Sequence, residues 1–161
     1  MLCNFAIIKL QSRGKIFLLG ELEEKHMLKL IIGVKGTGKT KTLINLVNGA
    51  LEVTKGDVVC IEKGVKLRYD IKPTARLINS EEYMVADAQA LYGFIAGILA
   101  SNHDVTDLFI DGTLKICKGD IAAFEALVIE LDKLVAKINI NLTMTVSVDE
   151  KELSEATRKF A

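Results

Sequence analysis

The segment MLKLIIGVKGTGKTKTLINLVNGAL, residues 27–51, decides the fold class of this chain. Its first six residues are apolar apart from one lysine, which is typical of a parallel strand buried on both faces. From residue 41 onward, apolar residues recur at helical spacing, with Lys41, Asn45 and Asn48 on the other side. The glycine-rich loop between the two parts therefore joins a predicted strand to a predicted helix.

The loop itself, GVKGTGKT at residues 33–40, matches the pattern G-x-x-x-x-G-K-[ST]. Glycines at these positions let backbone N–H groups surround a polyphosphate, and the helix that follows points its positive end at the anion. Lys39 is predicted to reach the outer phosphates and Thr40 to hold Mg²⁺. A glycine turn with a solvated lysine is the alternative, but a strand before and a helix after the loop favour phosphate binding. The predicted phosphate-binding residues are Gly33, Val34, Lys35, Gly36, Thr37, Gly38, Lys39, Thr40 and Lys41.

Further strands and helices alternate along the rest of the chain. Strands are predicted at residues 57–61, 75–78, 105–110 and 140–148. A helix at 86–100 is apolar nearly all round and is expected to be well buried, and a helix at 120–138 has Ala122, Leu127, Leu131 and Leu134 among its core positions. A charged, peripheral helix is expected at 150–160. This alternation predicts an α/β fold with three αβα layers and a mostly parallel sheet of four to five strands.

Composition limits the classes of function. The chain has 161 residues and a formal net charge of zero, which suits one globular domain and offers no strong evidence for a nucleic-acid surface. The longest apolar stretch, residues 90–100, is too short to span a membrane. Three scattered cysteines, an odd number, suit reduced thiols, so we expect a cytoplasmic protein.

Residues 1–26 differ from the remainder. One interpretation is a hairpin with strands at 5–10 and 15–19 that adds to the sheet beside the loop strand. The other is a leader that is not natively translated. Residues 23–27 can be encoded by a sequence that places a purine-rich ribosome-binding core just upstream of an ATG, and this makes Met27 the expected start. We therefore expect the nucleotide-binding domain to comprise residues 27–161.

Asp111 follows the apolar strand at 105–110, where an acidic residue can orient a metal's water shell. With this aspartate and the loop, residues 27–148 resemble the P-loop NTPases, and within them the AAA-type and RecA-type ATPases. A looser similarity to pilus-retraction and secretion ATPase cores lacks those motors' additional motifs. The resemblance implies a RecA-like sheet with ATP and Mg²⁺ at its carboxyl edge, with Thr40 and Asp111 as metal residues. It also implies assembly into a homo-oligomer or a larger complex.

The residues expected to activate water and to sense the terminal phosphate depart from this pattern. Many such ATPases have a glutamate directly after the metal aspartate, but Gly112 stands there; Glu62, at the end of the second strand, is the substitute that RecA-like members imply. An alternative that the sequence favours equally is that Glu62 is simply the first exposed residue after a buried strand. Thr145 and Ser147 match the phosphate-sensing strand tip only loosely. The resemblance thus assigns catalysis to Lys39 and Glu62.

Three functions follow from these observations. The first is Mg²⁺-dependent ATP binding and hydrolysis of RecA-like type. The second is a small-molecule or nucleoside kinase, although such enzymes usually have an arginine-rich lid and only Arg158 follows Asp111. The third is a nucleotide-binding switch with negligible turnover, which the glycine at position 112 keeps open.

Overall fold

The computed structural model describes residues 27–161. Within this range the strands are β1 (Leu28–Gly33), β2 (Asp57–Glu62), β3 (Arg76–Asn79), β4 (Val105–Ile110) and β5 (Asn141–Ser147), and the helices are α1 (Lys39–Val53), α2 (Ala88–Ser101), α3 (Thr113–Ile116), α4 (Ile121–Ile138) and α5 (Glu155–Arg158). Short 3₁₀ turns cover Ser80–Tyr83 and Glu150–Glu152. The strands form one sheet in the order β1-β5-β4-β2-β3, and all neighbours are parallel. The predicted strands at 5–10 and 15–19 lie outside the described residues.

Side chains of β2 alternate between two separate cores. Val59 and Ile61 pack on one face of the sheet, and Val58 and Cys60 pack on the other. This is why β2 is a continuous apolar run rather than an alternating one, since both of its faces are covered. The prediction that Cys60 is a packed core residue is confirmed, because its side chain is fully buried.

Helices cover both faces and complete three layers. On one face α1 buries Leu43 and Val47, together with Leu67 and Ile71 from the connection between β2 and β3. On the other face α2 and α4 lie side by side, with α3 and α5 beside α4. The predicted three-layer αβα arrangement and the mostly parallel sheet of four to five strands are therefore confirmed. Five strands are found because the short segment near residue 76 does pair with β2.

The pairing register aligns the carboxyl ends of four strands. Gly33 of β1 lies opposite Ser147 of β5, and Ile110 of β4 lies opposite both Met144 of β5 and Ile61 of β2. Residues that directly follow β1, β2 and β4 therefore meet at a single edge of the sheet. Such an edge is the usual place for ligands in open parallel sheets.

Two predictions about helix burial are wrong. Helix α2 is not buried all round: only Leu91, Ile95 and Leu99, one residue per turn, are buried. In α4 Ala122 is exposed, whereas Leu127 and Leu131 are buried as predicted. Small apolar residues spread around a helix raise its hydrophobicity without showing which side faces the core, since alanine and glycine occur on both.

The prediction of a charged, peripheral helix at 150–160 is also wrong. The segment forms a 3₁₀ turn and the short helix α5, and it buries Leu153, Thr157 and Phe160. The Leu30 N–H of β1 donates to the Phe160 carbonyl at 2.7 Å, so the end of the chain also occupies part of the outer edge of β1. Among the helices of residues 27–161, none combines the length and apolarity that crossing a membrane requires.

Replacing Phe160 with alanine tests this packing. The ring is 2% exposed within the larger core, so we expect Phe160→Ala to lower the free energy of unfolding by about 3–5 kcal/mol. Urea denaturation followed by circular dichroism measures it. Lys151→Ala, a change at an exposed position of the same segment, is the matched control and should stay within about 0.5 kcal/mol of the parent. Equal stability of both variants would contradict a packed C-terminus.

Candidate functional site

The loop between β1 and α1 needs glycine for two different reasons. Gly36 and Gly38 have φ angles of 89° and 83°, in the left-handed region where a side chain is strained. At Gly33 the constraint is space, because an added Cβ would lie 2.6 Å from the Thr37 hydroxyl oxygen. The three glycines thus allow a tight turn that begins at the end of β1 and finishes at the first residue of α1.

Backbone N–H groups are concentrated in this turn. Within residues 27–161, the amides of residues 34–41 have no hydrogen-bond acceptor, and no side chain caps α1. The first bond of the helix is donated by the Thr42 N–H to the Gly38 carbonyl at 3.0 Å. Unpaired amides at a helix N-terminus carry partial positive charge, so the turn provides a cradle suited to an anion with several oxygens.

The Lys39 side chain folds back across the loop. Its Nζ donates to the Val34 carbonyl at 2.8 Å and to the Thr37 hydroxyl at 3.3 Å, and the side chain is largely buried. Burial lowers the pKa of Lys39, the charge of Asp111 opposes this, and the charge of Lys115 lowers it further. The ammonium is therefore placed over the loop with only neutral oxygen partners.

Asp111 lies at the end of β4, beside the start of α1. The Thr40 hydroxyl donates to its Oδ1 at 3.2 Å, and the Thr145 hydroxyl donates to the same oxygen at 2.8 Å. The Gly112 N–H in turn donates to the Thr145 oxygen at 2.8 Å. The two predicted metal residues, Thr40 and Asp111, are therefore brought together from positions 71 residues apart in sequence.

A hydroxyl and a carboxylate are hard oxygen ligands and suit Mg²⁺. In the described part of the chain there is no cluster of three or more histidine, cysteine or acidic side chains that could hold a metal by itself. Mg²⁺ usually retains several waters and shares its remaining positions with phosphate oxygens. The pair Thr40 and Asp111, next to an anion cradle, fits that kind of shared site.

Glu62 ends β2 and is buried, with 2% of its surface exposed. Its Oε2 accepts from the Lys66 N–H at 2.9 Å and its Oε1 from the Leu67 N–H at 3.1 Å. Burial raises the pKa of Glu62, these amide bonds partly offset the rise, and the nearby charge of Asp111 adds to it. The side chain is thus held in one orientation beside Asp111, and it is not the exposed residue that the alternative expected.

Sequence reasoning missed a group of lysines near these carboxylates. A cavity of about 660 Å³ opens beside Asp111 and Glu62, and Lys63, Lys66, Lys115 and Lys118 line it. Each lysine follows the end of β2 or β4 by a few residues, which is the signal that could have placed them at this edge.

Some charged or titratable side chains lie away from Asp111. Arg68 and Arg76 line a different groove, along β3, and His103 lies before β4, at the opposite edge of the sheet. Ser147 does line the cavity beside Asp111.

No family model and no curated protein matches the chain, so its function has to be inferred from the geometry of this site.

The hydroxyl of Thr145 can be tested by removing it at nearly constant volume. Thr145→Val leaves the Gly112 N–H without its acceptor and Asp111 without one donor, so we expect a loss of about 1–3 kcal/mol in the free energy of unfolding. Thr145→Ser keeps the hydroxyl and should lose clearly less. Urea unfolding of the three proteins gives the comparison, and equal losses for Val and Ser would show that the hydroxyl bonds are unimportant.

The raised pKa of Glu62 predicts a pH dependence of stability. The folded state binds this proton more tightly than the unfolded state does, so ionisation of Glu62 opposes folding. As the pH rises above 4.5, its ordinary pKa, the stability of the parent should fall relative to Glu62→Gln, and the difference should level off above the folded pKa. Urea unfolding of both proteins from pH 4 to 8 measures this. A constant difference across that range would contradict the prediction.

Proposed function

We propose that this chain binds the Mg²⁺ complex of a nucleoside triphosphate, with ATP as the expected nucleotide, and hydrolyses it as a RecA-like ATPase. The observation that carries the proposal is the contact of Thr40 with Asp111 at the mouth of a loop of unpaired amides. A turn that only connected a strand to a helix would not require a carboxylate from a strand two positions away in the sheet.

The phosphates would lie against the amides of residues 34–41. Lys39 would exchange its bonds to the Val34 carbonyl and the Thr37 hydroxyl for phosphate oxygens, since charged acceptors bind an ammonium more strongly than neutral ones. Because the side chain is already folded over the loop, little ordering remains to be done on binding. Lys39 would then stabilise the negative charge that develops on the transferred phosphoryl group.

Thr40 and Asp111 would hold Mg²⁺, which would supply positive charge beside the phosphates. Thr145 would act as a positioning residue, because its hydroxyl fixes Asp111 Oδ1 and is itself fixed by the Gly112 N–H. The hydroxyl of Thr145 is therefore engaged in orienting the carboxylate. A direct role of Thr145 or Ser147 in sensing the terminal phosphate stays a prediction.

Glu62 is the candidate for positioning the attacking water. It lines the same cavity as Asp111, and its raised pKa makes it a better proton acceptor than an exposed carboxylate. Both of its oxygens already accept amide bonds, however, and this observation favours the alternative of a nucleotide-binding switch with negligible turnover. Each carboxylate oxygen has a further lone pair, so the amide bonds orient Glu62 without using all of its acceptor capacity.

The proposed setting is the cytoplasm. Cys60 and Cys117 are buried free thiols, and burial raises the pKa of both, to about 11 for Cys117. Thiols of this kind are inert and suit a reducing compartment. In a homo-oligomer, an arginine from a neighbouring subunit could complete the site, since no arginine of the described residues lines the cavity beside Asp111.

Nucleotide binding is tested by isothermal titration calorimetry with a non-hydrolysable ATP analogue and Mg²⁺. We expect Lys39→Ala to weaken binding by about 10- to 100-fold, the loss of a charge-assisted hydrogen bond. Lys55→Ala removes an exposed lysine at the opposite edge of the sheet and should bind like the parent. Absence of binding by the parent protein, or equal binding by Lys39→Ala, would reject the proposal.

Turnover is tested separately by phosphate release. If Glu62 positions water, Glu62→Gln should lower kcat by about 10²- to 10⁴-fold while nucleotide affinity stays within a few fold. Measurable turnover that is unchanged in Glu62→Gln would remove Glu62 from the mechanism. Tight binding with no turnover in the parent would favour the switch.

A further inference from the structure

The cavity beside Asp111 is connected to the loop through Asp111 itself, whose carboxylate accepts the Thr40 hydroxyl. Its lining includes Asp111, Gly112 and Ser147 at the strand ends, but no residue of the loop at 33–40. With a volume of about 660 Å³ it lies in the size range of small-molecule sites. A molecule in it would therefore lie next to the outer end of a nucleotide on the loop and would not occupy the nucleotide's own place.

Four lysines face this cavity, and none of them forms an ion pair within the described residues. Lys63 and Lys66 come from the connection after β2, and Lys115 and Lys118 from α3 and the turn after it. The ion pairs formed among residues 27–161 are elsewhere, at Lys72 with Glu52 and at Lys133 with Glu130. With three carboxylates on the same lining, at Glu62, Glu81 and Asp111, the four ammonium groups leave a formal excess of one positive charge at this concave surface, in a chain whose net charge is zero.

Three carboxylates also line the cavity, but two of them are already engaged. Glu62 accepts the amides of Lys66 and Leu67, and Asp111 accepts the hydroxyls of Thr40 and Thr145. Only Glu81 has a carboxylate with no hydrogen-bond partner in the described residues. Of the charged groups on the cavity wall that lack a hydrogen-bond partner, most are therefore lysine ammonium groups.

The cavity wall next to α3 has an unusual backbone. Lys118 has a φ angle of 56° and Gly119 one of 77°, so a lysine occupies a left-handed position where asparagine or glycine is usual. The turn directs the chain from α3 into α4 and keeps Lys118 at the cavity. Lys115, one turn earlier, folds close to Gly112, and its charge also acts on Lys39. The cavity and the loop are thus electrostatically connected.

The identity of the charged residues indicates the ligand. No arginine of residues 27–161 lines the cavity, whereas bidentate recognition of carboxylates usually employs arginine. Lysine is a point charge that suits the several oxygens of a phosphate group. Among the lining residues that the structure describes there is also no aromatic side chain, although proteins that bind single-stranded nucleic acid stack bases on such side chains.

We propose that the cavity lined by Lys63, Lys66, Lys115 and Lys118 binds a phosphorylated small molecule beside the outer end of the nucleotide. Its role as the site of a second reactant or effector rests on the proposed nucleotide function, but its affinity for phosphate does not. The three lysine-bearing segments would enclose the phosphate, and the remaining cavity volume would hold the organic part.

The experiment is a titration of ¹⁵N-labelled protein with inorganic phosphate, without nucleotide and at constant ionic strength, followed by NMR. We expect saturable shifts of the amides at residues 63–66 and 112–119 in the parent protein and in Lys39→Ala. The double variant Lys115→Ala/Lys118→Ala should bind phosphate at the cavity at least tenfold more weakly. Lys55→Ala, the exposed lysine at the opposite edge, should bind like the parent.

Three results would overturn the proposal. Shifts confined to residues 33–41 would place the anion on the loop alone, and shifts that do not saturate, or that chloride reproduces, would indicate diffuse screening. Tighter binding of an oligo(dT) strand than of phosphate at these lysines would indicate nucleic acid instead. The two proposals fail independently: phosphate shifts at the cavity without binding of an ATP analogue would reject the nucleotide function only, and the reverse result would reject the cavity only.

Discussion

The hydroxyl of Thr145 holds the candidate site together. It accepts the Gly112 N–H and donates to Asp111 Oδ1, both at 2.8 Å, and Asp111 in turn receives the Thr40 hydroxyl. The side chain of Thr145 is 2% exposed, so these bonds are shielded from water and neither partner is easily replaced. One buried hydroxyl thereby relates three segments that are distant in sequence: the start of α1, the end of β4 and the tip of β5.

This bridge depends on the strand order. Because β5 lies between β1 and β4, its tip is the only one of the five that neighbours both the loop strand and the Asp111 strand. The parallel register brings Gly33 opposite Ser147 and Ile110 opposite Met144, so Thr145 lies two residues before the level of the β1 end and one residue beyond the level of the β4 end, where Asp111 follows. A shift by one residue would turn Thr145 to the other face and exchange it for an apolar neighbour. The apolar packing that fixes the register therefore also fixes the site.

Much of the fold and the loop could be predicted from sequence because strong local patterns specify them. The apolar runs of β2 and β4 and the glycine pattern of the loop each specify structure without reference to the rest of the chain. Thr145 and the lysines could not be placed in the same way, since their significance depends on which strands become neighbours. The burial of Phe160 was missed for another reason: the charged residues between Leu153 and Phe160 obscure the helical spacing of the buried residues Leu153, Thr157 and Phe160.

The site has two parts, the loop and the cavity, which differ in the polar groups that lack a hydrogen-bond partner. On the loop side the groups without a hydrogen-bond partner are backbone amides, next to one lysine whose two partners are neutral oxygens, and this arrangement suits an anion. On the cavity side the carboxylate of Glu62 is already bonded, and the unsatisfied groups are lysines. Asp111 stands between the two parts, and its carboxylate accepts the hydroxyl of Thr40 at the start of α1.

Two phosphorylated molecules, one in each part of the site, would repel each other unless a cation lay between them. The oxygen donors of Thr40 and Asp111 lie where such a cation would be needed, so simultaneous occupation of both parts should depend on the metal, whereas occupation of one part alone should not.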